Sequence, residues 1–177
     1  MSYEEILSRF TYEDETEILK RVSKVNADDY RENNDIINEI VLWKMNRRPH
    51  IENKVIDMIH SVSDFTSPLE AVKSIRTEDV LVELLNSKGL KLPMASTVLH
   101  FFYPEIYPII DQRAYRELYN EDYPKTVVSV GNLVGIYKKY IEDCYLYQQE
   151  KCPELSFSKI DKVLYQLDKD RGNKVKY

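Results

Sequence analysis

Residues 78–103 read EDVLVELLNSKGLKLPMASTVLHFFY, and the fold turns on this stretch. Val80, Leu81, Leu84 and Leu85 recur at the spacing of a helix with one buried face. Ser87-Lys88-Gly89 ends that helix, with Gly89 free to take a left-handed conformation. Leu92-Pro93 opens the next helix, because proline suits a first helical position. That helix places Ala95, Val98, Leu99 and Phe102 on one face, and the small Ala95 permits close approach of its partner. Two short helices about a tight loop are therefore predicted. A glycine-containing loop at a helix N-terminus offers backbone N–H groups and a positive dipole end to a phosphate. Lys88 and Lys91 add charge. The alternative is an ordinary helical connection with two solvated lysines.

The same periodicity extends outward. It predicts helices near 13–25 (Ile18, Val22, Val25), 33–47 (Ile36, Ile37, Ile40, Val41, Trp43), 51–62 (Ile51, Val55, Ile56, Ile59) and after Ser67-Pro68. Downstream it predicts helices near 112–119, 126–150 and 157–169. Four glycines and seven prolines in 177 residues leave little material for hairpins, so an all-β fold is excluded. The expectation is an all-α class: a compact multi-helix assembly forming a single domain over 1–177, of more helices than a four-helix bundle.

Hydrophobic residues make up 43% and charged residues 31%, the balance of a folded globular chain. No apolar run is long enough to span a membrane and no secretory leader is visible, so a cytoplasmic setting is expected. Two cysteines, Cys144 and Cys152, are too few for a four-thiolate metal or iron–sulfur site. His50, His60 and His100 show no ligand spacing, so neither metal nor cofactor is expected. The net charge of -5 excludes coating of nucleic acid by bulk charge. DNA contact would need a local basic surface, and Lys44, Arg47, Arg48 and His50, with Lys54 beyond, form the clearest one.

The segment Gly89–Leu118, GLKLPMASTVLHFFYPEIYPIIDQRAYREL, resembles the helix-hairpin-helix superfamily of DNA glycosylases. Gly89, Leu90 and Ala95 take the hairpin's glycine, apolar and alanine places, with Leu85 upstream. Ile109-Ile110-Asp111 takes the place of the extended segment that ends in the family's catalytic aspartate. Trp43-Lys44-Met45-Asn46-Arg47 is similar to an upstream motif of a less characterised bacterial branch. The second hairpin glycine is Lys91 here. The place of the bifunctional members' lysine is Pro93, which has no amine for a Schiff base.

The resemblance implies base excision from duplex DNA by hydrolysis of an N-glycosidic bond. Asp111 would stabilise the sugar cation, and Lys88, Gly89, Leu90, Lys91 and Arg113 would contact DNA beside Lys44, Arg47 and Arg48. Trp43 and Tyr107 would wall a base pocket. Each residue has a plainer reading. Asp111 fits a helix N-cap, Arg113 and Arg116 fit surface ion pairs with Glu117 or Asp122, and Trp43 shares a face with Ile36 and Ile40. Two other functions stand beside the enzyme: a non-catalytic DNA-binding module of the same fold, and a helical protein-interaction domain.

Overall fold

The computed structural model describes residues 16–44 (Lys44 without its side chain), 49, 51–124 and 129–174. Arg47, Arg48 and His50, and the side chain of Lys44, lie outside the described residues. All described regular structure is helical, with no strand among the described residues. The chain divides into two compact units, one ending at residue 50 and one beginning at residue 51.

The first unit contains α1 (Thr16–Val22) and α2 (Tyr30–Lys44). Ile18 and Ile36 are buried. Arg21 ties the pair together: its Nη2 donates to Glu32 Oε1 at 2.7 Å, and its Nη1 binds Glu39. The broad apolar face expected on α2 is not buried here. Ile37 is 56% exposed, and Ile40 and Val41 also face solvent. Among the described residues one short helix, α1, faces α2, and part of that contact is the polar bridge from Arg21 to Glu32 and Glu39.

The second unit contains α3 (Asn53–His60), α4 (Pro68–Lys73), α5 (Ile75–Asn86), α6 (Leu92–Phe102), α7 (Gln112–Tyr119), α8 (Val130–Lys151), a 3₁₀ turn at Phe157–Lys159 and α9 (Ile160–Asp170). The boundaries follow local chemistry. Ser67 caps α4 by accepting the Glu70 N–H, with Pro68 in the first turn, and Ser129 caps α8 through the Asn132 N–H. α5 begins at Ile75, ahead of the stretch 78–103 whose apolar spacing marks it. Ser74 is the cap, accepting the Arg76 N–H, and Thr77 is inside the helix, buried against Tyr107. A serine just ahead of the helix satisfies an otherwise orphan N–H, and that decides the boundary.

The long α8 buries Val134, Tyr137, Tyr140, Ile141, Cys144 and Gln148 along one stripe. Leu81 and Leu84 of α5, Leu99 of α6, Ala114 of α7, and Ile160 and Leu164 of α9 complete a continuous core. Each fully buried aliphatic side chain stabilises the unit by about 1.5–3 kcal/mol. α9 packs chiefly on α7, and α4 and α5 pack on α8. No helix among the described residues is long and apolar enough to cross a membrane.

Candidate functional site

The connection from α5 to α6 is a tight turn. Leu90 N–H donates to the Ser87 carbonyl at 3.2 Å, and Gly89 has φ +87°. This is the arrangement of a type II turn, whose third residue needs positive φ. Lys88, Gly89 and Lys91 are exposed. Lys91 stands at the N-cap of α6 and makes no side-chain cap bond. Leu90 departs from its expected role. Its side chain is buried in the core and its N–H is committed to the turn, so it anchors the loop from within.

Past α6, Pro104 and Pro108 interrupt helical hydrogen bonding; residues 104–106 form a turn in which the Ile106 and Tyr107 N–H groups bond the Tyr103 carbonyl, and an irregular run leads on to Asp111. With no neighbouring strand among the described residues, most of the other backbone groups of 107–111 bond to side chains. His100 Nδ1–H donates to the Tyr107 carbonyl at 2.8 Å. Tyr137 Oη–H donates to the Pro108 carbonyl at 2.8 Å, and Tyr140 Oη–H to the Ile109 carbonyl at 3.1 Å. Ile109 N–H donates to Asp161 Oδ2 at 2.9 Å, and Ile110 N–H to Ser96 Oγ at 3.2 Å. Side chains from α6, α8 and α9 thus hold the main chain ahead of Asp111.

Asp111 caps α7 as the plain sequence reading expects. Its Oδ1 accepts the N–H groups of Arg113 and Ala114 at 2.7 and 2.8 Å. Its Oδ2 has no hydrogen-bond partner among the described residues. The half-buried carboxylate lines an open hollow of about 290 Å³ with Ile109, Asp161, Lys162, Tyr165 and Gln166. Burial pushes the Asp111 carboxyl above the ordinary carboxylate range. The charge of Asp161 adds to this, while the Ala114 and Arg113 N–H groups and the Arg113 charge oppose it.

Tyr107 does not wall a pocket. It is 0% exposed, its hydroxyl lies 2.8 Å from Thr77 Oγ1, and burial pushes its phenol up to about 12. The core takes this ring because Pro108 turns the following chain away. Arg113 is likewise committed elsewhere. Its Nη1 donates to Asp168 Oδ2 at 3.0 Å and to the Asn173 carbonyl at 2.8 Å. Arg116 grips the same carboxylate from Nε and Nη2, both at 2.7 Å. Its contact with Asp122 is longer, 3.6 Å, and Glu117 pairs with Arg171. Trp43 is half-buried in the first unit. Lys54, in the second unit, pairs with Glu83 at 3.1 Å.

Asp161, Tyr165 and Gln166 were not singled out by sequence reasoning. Asp161 reads as an ordinary acidic residue in a helix's first turn. The available signal was its register: Asp161, Leu164 and Asp168 fall at i, i+3 and i+7, two acids on a core-facing stripe. Cys144 and Cys152 are free, and no group of three or more metal-ligating side chains occurs among the described residues. Compared with protein-family models, with curated proteins and with solved structures, the chain matches none.

Proposed function

We propose that the chain is a helix-hairpin-helix protein of the DNA glycosylase type, releasing a base from duplex DNA by hydrolysis of its N-glycosidic bond. One observation carries the reading. The segment 107–111 is held by five side chains of other elements, and it ends in a carboxylate with one oxygen turned to an open hollow. Such investment in placing one side chain is what a preorganised site requires. Breaking the C1′–N bond develops positive charge on the sugar, and Asp111 Oδ2 would stabilise that charge and orient the attacking water. The raised affinity of this carboxyl for protons sets the acid limit of activity: it must be ionised, so base release falls as pH drops through its midpoint. The exposed turn at Lys88-Gly89, with Lys91 at the start of α6, would hold a phosphate. The exposed Tyr165 ring offers the hollow a stacking face.

Base release is expected without strand cleavage, since Pro93 carries no amine. A panel of duplexes with different damaged bases, assayed for alkali-labile products, tests the enzyme. Asp111→Asn should abolish release and spare binding. Borohydride trapping on an abasic duplex tests the absence of lyase chemistry, and an adduct lost in Lys162→Ala or Lys91→Ala would overturn it.

The non-catalytic DNA-binding module is favoured by one feature: Lys91 replaces the second hairpin glycine while the Leu90 N–H is spent within the turn. Binding that weakens steeply with salt, with no base released from any duplex, would select it. Absence of binding at the lowest salt would exclude both.

A further inference from the structure

We propose that Asp161 is the positioning residue of this site, a buried second carboxylate that fixes the backbone ahead of Asp111 and adds its charge to a hollow built for a cationic ring. The inference rests on the reading of Asp111 as the acting carboxylate.

Two aspartates lie seven residues apart on the inner face of α9, 4% and 0% exposed. Asp168 is neutralised by two guanidinium groups, Arg113 and Arg116. Asp161 has no arginine or lysine against it among the described residues. Its Oδ2 accepts the Ile109 N–H and its Oδ1 the Lys162 N–H at 2.7 Å. His100 Nδ1 stands 3.9 Å away, and its N–H donates to the Tyr107 carbonyl at 2.8 Å. Backbone N–H groups and the positive end of α9 therefore hold this anion in place without cancelling its charge.

A buried carboxylate without a cation is costly, and the cost grows beside a second carboxylate. Asp161 faces the same hollow as Asp111. The other groups around Asp111 are Arg113 on its own helix, Tyr140 on α8, His100 on α6, and Lys162 and Tyr165 on α9. Arg113 is turned to Asp168, the two α8 and α6 side chains hold carbonyls, and Lys162 is exposed and screened by water. The two carboxylates are thus the hollow's negative charges, and the Arg113 charge offsets them only in part. A ring that becomes positive there, such as an oxocarbenium-like sugar, relieves their repulsion. A neutral ring does not.

The test follows the Asp111 side-chain carboxyl by ¹³C NMR through a pH titration of the full chain, as wild type, Asp161→Asn and Asp161→Ala. Asparagine keeps an oxygen for the Ile109 N–H, removes the charge and gives up only the bond from the Lys162 N–H. Asp161→Asn should lower the Asp111 midpoint. It should also cut the preference for a duplex bearing a protonated pyrrolidine over one bearing a neutral tetrahydrofuran by about tenfold. Asp161→Ala, which loses the acceptor as well, should weaken binding of both duplexes. An unchanged midpoint and preference in Asp161→Asn would reduce Asp161 to a structural acceptor and overturn the proposal. If the variant does not fold, Asp161→Glu, which keeps the charge, decides: a retained preference for the pyrrolidine duplex supports the proposal, and a lost preference overturns it. If the wild type binds neither duplex, the DNA reading fails, while the titration still decides the role of Asp161.

Discussion

The turn at 87–91 and the segment at 107–111 flank the same helix, α6, yet they are held in opposite ways. The turn is closed by its own backbone, with Leu90 N–H on the Ser87 carbonyl and a glycine at φ +87°. It would form this shape in any helical hairpin. The segment closes on itself only at its start, where the Tyr107 N–H bonds the Tyr103 carbonyl at 3.1 Å. Its carbonyls and N–H groups are taken by His100, Tyr137, Tyr140, Asp161 and Ser96. A loop that carries its own geometry is robust to distant change. A segment that borrows its geometry depends on every element that lends a side chain, and gains in return a fixed position for Asp111.

The sharpest way to break this contrast is at Tyr137. Tyr137→Ala removes a fully buried ring and the partner of the Pro108 carbonyl, and should cost about 4 kcal/mol. Tyr137→Phe, which loses only the hydroxyl, should cost about 1 kcal/mol. Chemical denaturation of both variants separates packing from the hydrogen bond, and an unchanged stability in Tyr137→Phe would show that the hydroxyl anchors nothing.

The second test uses pH. The guanidinium of Arg116, with help from Asn173 and Arg113, holds the Asp168 carboxyl below the ordinary carboxylate range despite its burial. A depressed folded-state value means that the contribution is present above the unfolded value, about 4, and is lost as pH falls through the lowered one. Asp168→Asn should therefore cost about 3 kcal/mol at neutral pH and flatten the acid limb of the stability curve. An unchanged acid limb would mean that this clamp between α7 and α9 carries no weight.

The third test breaks the local half of the comparison. Gly89→Val puts a β-branched residue at positive φ and should cost about 2 kcal/mol. Its effect should stop at the hairpin, leaving the amide signals of 107–111 unmoved by NMR. The smallest effect is expected from Lys88→Ala with Lys91→Ala: a melting temperature change equivalent to less than about 0.5 kcal/mol, but weaker, less salt-sensitive duplex binding.

Much of the fold was legible because helix formation and termination are local. Apolar spacing located α3, α6 and α7 to within two residues, and Pro93 and Asp111 marked the starts of α6 and α7. The turn at Gly89 was legible for the same reason. Asp111 as a cap was also readable, from an aspartate ahead of an amphipathic helix. The partners of Arg113 were not: its neighbours in sequence, Glu117 and Asp122, were the expected ones, and Asp168 lies 55 residues away. Tyr107 looked available for stacking because nothing local shows whether a tyrosine ring faces solvent or core.

By itself, the sequence determined the helical class, the bounds of several helices and the shape of the turn at Gly89, since each follows from backbone hydrogen bonding and side-chain preferences within a few residues. Only the tertiary structure decided which side chains hold 107–111, which acid receives the two arginines and which is left unpaired beside Asp111. Those outcomes depend on α6, α8 and α9 meeting in space. The energy of a buried polar group is set by the partners it finds there, not by the residues next to it in the chain.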